Sequence, residues 1–263
     1  MQILAINGSH RGERGHTAFL IERLFEGARA AGATCEVATL ANLKINRCLN
    51  CDRCQPPAGS LAEGPRPPCV WETKDDVHAV FQQMAAADLV IYATPIYVFN
   101  MSGLLKTFLD RFYGVSAAAD LRVTRAGLMF HEIAPILSKP FVDLICCDNL
   151  ENETPQTVRS YFRTFSRFLD APQVGELVRN AGVLTGHGHN PEAEARFPKI
   201  KEVYAAYGQA GRELATLGRI RPATQRRANQ EILPVPFFGL LKQLPFRAVK
   251  AKFIEQANLM RKR

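Results

Sequence analysis

Short apolar runs alternate with helical-period segments five times along this chain, and few architectures accept that order. Gln2–Asn7 is an apolar run followed at once by Gly8-Ser9. Thr17–Ala31 then carries Ala18, Leu20, Ile21, Leu24, Phe25 and Ala28 at helical spacing. Thr34–Leu40 alternates at Cys35, Val37 and Thr39 as a second strand, and Lys74–Ala87 sets Val77, Val80, Phe81 and Met84 on one helical face. Asp88–Thr94 is almost continuously apolar, as a strand covered on both faces should be. Met101–Tyr113 reads as a helix, Pro140–Cys147 as a buried strand, and Thr154–Leu169 as a helix capped by Thr154 with Pro155 in its first turn. Val174–Leu184 contains the fifth strand and Pro198–Leu217 is the last long helix. This order predicts an α/β fold, a doubly wound five-stranded parallel sheet with helices on both faces. Crossovers in such a sheet are right-handed and ligands sit beyond the carboxyl ends of the strands. Three loops meet that rule: Gly8–His16, Pro95–Asn100 and Asp148–Glu153.

Charge divides the chain. The 263 residues carry a net charge of +8, yet residues 212–263 hold twelve Lys or Arg against three Asp or Glu. The remainder is close to neutral, so the basic character belongs to an appendix and not to the loops above. We expect a main domain over 1–218 and a basic extension over 219–263 with one or two short helices, its apolar pieces at Ile232–Leu241 and Phe253–Met260. Packing of this arm on a second subunit is preferred to contact with an anionic membrane surface, and no nucleic-acid partner is expected. The opening MQILAINGSH reads as a strand and not as an export signal, and no apolar run reaches the ~18 residues of a membrane span. A cytoplasmic location is therefore expected.

The first loop, N-G-S-H-R-G-E-R-G-H-T, follows a strand and opens a helix. Gly8, Gly12 and Gly15 let the backbone turn tightly and present N–H groups. Ser9 and Thr17 add hydroxyls, Arg11 a positive fork, and the helix end its dipole. Such a loop suits a phosphate monoester; it matches neither G-x-x-x-x-G-K-[ST] nor G-x-G-x-x-G. G-S-H-R-…-H-T-A resembles the G-S-x-R-…-N-T-A loop of the flavodoxin-like NADPH-dependent FMN reductase superfamily. That resemblance implies FMN as cofactor, with Ser9, Arg11, His16 and Thr17 as its phosphate ligands; His16 stands where Asn is usual.

A-T-P-I-Y-V-F-N-M-S-G-L-L-K-T-F-L-D-R-F is similar to a second signature of the same superfamily. It implies Pro95, Ile96, Tyr97, Val98, Phe99 and Asn100 as neighbours of the flavin ring, with Lys106, Asp110 and Arg111 structural. The third loop, C-C-D-N-L-E-N-E-T, departs from the Gly-rich version of the family, and Cys146 and Cys147 read as small hydrophobes on a buried strand. No side chain is nominated as a general acid or base.

Cys48, Cys51 and Cys54 form a C-x2-C-x2-C run on the long irregular stretch 41–73, and Cys69 follows after the Pro-rich Gln55–Pro68. This spacing lets thiolates converge on one centre. C-V-W-E-T-K-D-D-V resembles the segment that closes the cysteine motif of iron–sulfur flavoproteins, which implies a [4Fe–4S] cluster on Cys48, Cys51, Cys54 and Cys69. The spacer before Cys69 is longer than the family's, so a zinc site and free thiols stand as alternatives. The expectation is an FMN-dependent oxidoreductase passing electrons between FMN and a cluster. The alternatives are an NAD(P)H-dependent FMN or quinone reductase without one, and a non-enzymatic electron carrier. Its partners would be a small-molecule or protein electron donor and acceptor, in a homodimer or homotetramer.

Overall fold

The computed structural model describes residues 1–59, 67–184, 198–233, 235 and 237–261. In chain order its elements begin with β1 (Gln2–Asn7), α1 (His16–Ala30), β2 (Thr34–Thr39), α2 (Val77–Ala86), β3 (Leu89–Tyr97), β4 (Asn100–Met101) and α3 (Gly103–Asp110). They continue with β5 (Ser116–Val123), β6 (Met129–Ile133), β7 (Phe141–Cys146), α4 (Gln156–Phe168) and β8 (Gln173–Arg179). The last are α5 (Pro198–Leu217), α6 (Pro222–Ala228), α7 (Phe238–Leu241) and α8 (Arg247–Arg261).

β1, β2, β3, β7 and β8 pair in parallel in the order β2-β1-β3-β7-β8, which is the expected doubly wound sheet. The central strands are apolar on both faces because each face is covered. Ile3, Ala5, Leu89, Ile91 and Leu144 pack against α1 and α5 on one side. Leu4, Ile6, Val90, Tyr92 and Ile145 pack against α2, α3 and α4 on the other. Tyr92 is the hub of the second layer, its ring meeting Phe112, Phe141, Phe162 and Phe165.

α1 and α5 approach to backbone contact. A Cβ on Gly27 would lie 1.7 Å from the Gly208 carbonyl oxygen, and one on Gly211 would lie 1.8 Å from that of Leu24. This crossing fixes α1, whose N-terminus faces the first loop.

Several boundaries differ from the sequence expectation. α2 starts at Val77 and not Lys74, because Asp75 and Asp76 accept backbone N–H groups of Asn46 and Lys44. β3 continues to Tyr97 and turns back through Val98-Phe99 into β4, so α3 begins at Gly103 with Ser102 as its cap. α4 begins at Gln156 without a side-chain cap from Thr154. The β5–β6 hairpin, whose strands pair antiparallel outside the main sheet and turn at Gly127 with φ +74°, is an element that the sequence expectation lacks.

The C-terminal segment starts inside the core: Ile220, Ala228 and Ile232 join the α1–α5 layer. Its amides also serve the open edge of β8. Gln225 Oε1 accepts the Glu176 N–H at 2.9 Å, Asn229 Oδ1 accepts the Val178 N–H at 2.8 Å, and Asn229 Nδ2 donates to the Glu176 carbonyl at 2.9 Å. Pro234 and Pro236 of the expected arm, residues 60–66 of the cysteine spacer, and the last two residues lie outside the described residues. Among the described residues no helix is long and apolar enough to cross a membrane.

Candidate functional site

The first loop is tied by its own polar groups. Asn7 Nδ2 donates to the Gly12 carbonyl at 3.2 Å, and Asn7 Oδ1 accepts the Ser9 N–H at 3.1 Å. Ser9 Oγ accepts the Arg11 N–H at 3.2 Å. Gly12 turns the chain with φ +56°, a left-handed conformation that favours glycine. Gly15 precedes α1 because a Cβ there would lie 2.7 Å from Ser9 Oγ. The outcome is a tightly turned cradle at the N-terminus of α1, in which Ser9 Oγ packs directly against Gly15.

The second loop is locked to the first. Ser102 Oγ donates to the Gly8 carbonyl at 2.6 Å and accepts the Leu105 N–H at 3.1 Å, so one hydroxyl caps α3 and holds the turn after β1. Gly8 N–H donates to Ala93 at 2.8 Å, and a Cβ on Gly8 would lie 2.7 Å from that of Leu105.

Between these loops lies a small cavity of about 80 Å³, open to solvent and lined by Ser9, Arg11, His16, Thr17, Pro95, Ile96, Tyr97, Cys146 and Asp148. Seven of these nine are residues that the two loop motifs single out. The sequence reading missed Cys146 and Asp148. Cys146 reads as a core residue, yet its strand ends at the cavity, where burial pushes its thiol up to about 12. Asp148 stands in one of the three loops selected by topology, and no motif marks it. His10 and Tyr97 bring their rings to 5.5 Å at the rim. A larger hollow of about 480 Å³ beside α2 is lined by Glu36, Leu43, Asp76, Ala79, Val80, Gln82, Gln83 and Ala86, with no hydroxyl or cationic side chain.

Val98, Phe99 and Asn100 do not line the cavity. Val98 and Phe99 are the two central residues of the β3–β4 turn, with φ of +46° and +65°, and are 90% and 65% exposed. Two-residue hairpin turns of this kind usually use Asn or Gly, and a β-branched residue there is strained. Asn100 Oδ1 accepts the Met101 N–H at 2.8 Å.

The cysteine segment packs around the end of α3. Arg111 is 5% exposed in its side chain and pairs with the fully buried carboxylate of Asp75. It also donates to the Asn46 carbonyl at 3.0 Å and to Cys69 Sγ at 3.4 Å. Cys54 is buried, Cys48 and Cys69 half-buried and Cys51 exposed, and none of the four is in a disulfide. Asn50 and Asp52, between the first three, adopt left-handed φ. Tyr113 Oη donates to Asp52 at 2.6 Å, and this bond, followed by desolvation and the Asp52 charge, pushes the phenol up to about 12. As placed, the thiols do not form a metal cage: among the described residues no group of three or more His, Cys, Asp or Glu could hold a metal ion.

The sheet order and the cavity at its carboxyl edge define a flavodoxin-like α/β protein. Residues 1–129 match the family model described as NADPH-dependent FMN reductase, which bears out the resemblance read from the two loops. An iron–sulfur flavoprotein of Archaeoglobus fulgidus is 32% identical over 111 residues, 42% of this chain and 48% of that protein. One of Methanocaldococcus jannaschii is 34% identical over 111 residues, 42% of this chain and 50% of that protein. The chain spans about half the length of the curated relatives it matches. Among solved structures, an NAD(P)H:quinone oxidoreductase from Methanothermobacter marburgensis superposes with a TM-score of 0.54 at 17% identity, covering 81% of this chain and 98% of that one. An FMN-dependent NADH-azoreductase from Bacillus anthracis, in complex with FMN, gives 0.55 at 14% identity, covering 82% and 99%. At these identities the two structures establish the fold.

Proposed function

We propose that the protein is an FMN-dependent oxidoreductase. The observation that carries this reading is the convergence of Ser9, Arg11, His16, Thr17, Pro95, Ile96 and Tyr97 on one cavity at the sheet's carboxyl edge. The residues fit FMN. The Ser9 and Thr17 hydroxyls, the Arg11 guanidinium and the N-terminus of α1 supply donors and positive potential for a phosphate monoester. Gly15, without a side chain, leaves room for the Ser9 hydroxyl beside the α1 N-terminus. Pro95, Ile96 and Tyr97 offer an apolar wall for the ring. FMN, when bound, supplies two-electron exchange with one partner and one-electron steps with another, while the protein binds and orients it. NADH or NADPH is the proposed donor, a reading supported by the family description and by the names of the two solved relatives.

Titration of flavin-free protein with FMN, followed by flavin fluorescence, tests the site. A dissociation constant in the low micromolar range or below is expected, and no saturable binding would overturn the reading. Anaerobic addition of NADH or NADPH should then bleach the flavin absorbance. Bound flavin that neither nucleotide reduces would favour an electron carrier that docks with a protein reductase.

The finer reading, a [4Fe–4S] cluster on Cys48, Cys51, Cys54 and Cys69, is supported by the C-x2-C-x2-C spacing and by the names of the curated relatives. It requires the thiols to gather as the metal binds and Cys69 to exchange its Arg111 contact for iron. The second reading leaves the thiols outside any cluster, and it is supported by the described residues, which bring no three of His, Cys, Asp or Glu together as a metal-holding group. Anaerobic purification with iron and sulfide analysis separates the two: about four irons per chain, lost in Cys51→Ala, supports the cluster, and iron-free protein supports the second reading. A homodimer or homotetramer in the cytoplasm completes the proposal.

A further inference from the structure

The third wall of the cavity, the loop that begins at Asp148, is held from outside by the C-terminal segment. Leu150 is the hinge of this contact. Its side chain packs with Leu233, Phe238 and Phe253 in a small apolar cluster separate from the main core. Its carbonyl accepts a hydrogen bond from Lys242 Nζ at 2.8 Å. The Lys242 side chain is only 3% exposed, and its ammonium also pairs with Glu231 and lies 5.4 Å from the Phe238 ring centre. A buried ammonium costs several kcal/mol unless it is paired and hydrogen-bonded, so its placement against a loop carbonyl is a specific feature. One residue further on, Glu151 pairs with Lys250 at 2.6 Å. The root of the same segment is fastened by Arg179, whose guanidinium donates to the Ala228 carbonyl at 3.1 Å and the Gln230 carbonyl at 2.6 Å.

We infer that residues 237–254, with Leu233, form a strap that sets the position of the Asp148 loop, with Lys242 as the positioning residue that couples the strap to flavin binding. This inference rests on the flavin reading of the cavity. A loop wall held in place before the ligand arrives spares the ordering that binding would otherwise require. The strap therefore raises affinity without touching the ligand, and its lysines neutralise carboxylates away from the phosphate cradle. It also gives the basic C-terminal segment a role within its own subunit.

The full-length variants Lys242→Met, Lys242→Arg and Lys250→Ala test it. In flavin-free Lys242→Met, amide exchange over 148–152 should accelerate at least tenfold. The FMN dissociation constant should rise about tenfold, while turnover at saturating FMN stays within twofold. Lys242→Arg should recover most of the affinity, and Lys250→Ala, which breaks a partly exposed pair, should weaken binding about twofold. A purely structural lysine would lower the melting temperature and leave the dissociation constant, measured well below that temperature, unchanged; that result, or unchanged exchange over 148–152, would overturn the strap. Wild-type protein that fails to bind FMN would instead overturn the site reading, an outcome distinct from a wild type that binds and a Lys242→Met variant that binds equally well.

Discussion

Replacement of Gly15 by Ala isolates the phosphate cradle from the rest of the fold. Gly15 has φ −86° and ψ 155°, an extended conformation open to any residue, so the substitution introduces no backbone strain. Its effect is steric. The new methyl would lie 2.7 Å from Ser9 Oγ and 3.3 Å from Arg11 Cβ. Ser9 Oγ must retreat by about 0.7 Å to restore an ordinary contact of 3.4 Å. That movement takes the hydroxyl off the Arg11 N–H, which it accepts at 3.2 Å, and out of reach of a phosphate in the cradle. A hydrogen bond to a charged group is worth ~1.5–3 kcal/mol, so FMN binding should weaken roughly 10- to 150-fold. Stability should fall by only about 1 kcal/mol, the cost of Ala at a helix N-cap. Fluorescence titration with FMN reads the first quantity and thermal melting of flavin-free protein the second. A variant that melts like the wild type and binds FMN within about twofold of it would refute the assignment of this loop to the phosphate.

The remaining predictions concern parts of the chain outside the cradle. Arg111→Met leaves the carboxylate of Asp75 buried without its cation and should cost ~3–5 kcal/mol, read by urea denaturation; a loss below 1 kcal/mol would show that Arg111 does not hold the cysteine segment. Val98→Gly relieves a left-handed β-branched residue; with about 1 kcal/mol of net relief the melting temperature should rise by about 2–4 °C, and a fall would contradict the strain argument. Asp143 is fully buried on β7, and burial pushes its carboxyl up to about 7 despite a hydrogen bond from Gln173. Between about pH 4 and 7 the native state then holds a proton that the unfolded chain has lost, so stability falls as pH rises through this window and levels off above it. Asp143→Asn should remove that slope and stabilise the protein at pH 8 by on the order of a few kcal/mol; parallel pH profiles for variant and wild type would refute this.

The parallel sheet was legible because β1, β3 and β7 are buried on both faces and read as continuous apolar runs. The cradle was legible because its chemistry is compressed into eleven consecutive residues. The β5–β6 hairpin was not. Its first strand does alternate, Leu121 and Val123 with Asp120 and Arg122, but over only five residues and with the apolar set, Leu121, Val123 and Met129, on the exposed face, the reverse of the usual half-buried strand. Asp148 and Cys146 were missed as cavity residues for a different reason: they reach it only when β7 is placed beside β3, and no local motif encodes that pairing. The turn at Val98-Phe99 inverted its usual signal, since residues of strand type occupy positions whose geometry favours Asn or Gly. For the cysteines the spacing states which residues could share a centre, whereas the distances between them depend on a loop that holds two left-handed residues and bonds of its own.

The amides on the edge of β8 have a consequence for solubility. A parallel sheet ends in a row of unsatisfied N–H and C=O groups that can template another chain. Here Gln225 and Asn229 reproduce part of the missing strand's hydrogen bonding from a helix and the residue after it. The protein thus carries its own plug against edge-to-edge growth, and the plug lies downstream of the five strands it protects. During synthesis the sheet can pair before residues 225–229 have left the ribosome, so the nascent chain passes through an interval in which that edge is sticky. Chains that stop short of Gln225 remain in that state and should form sheet-extended aggregates in place of the native fold.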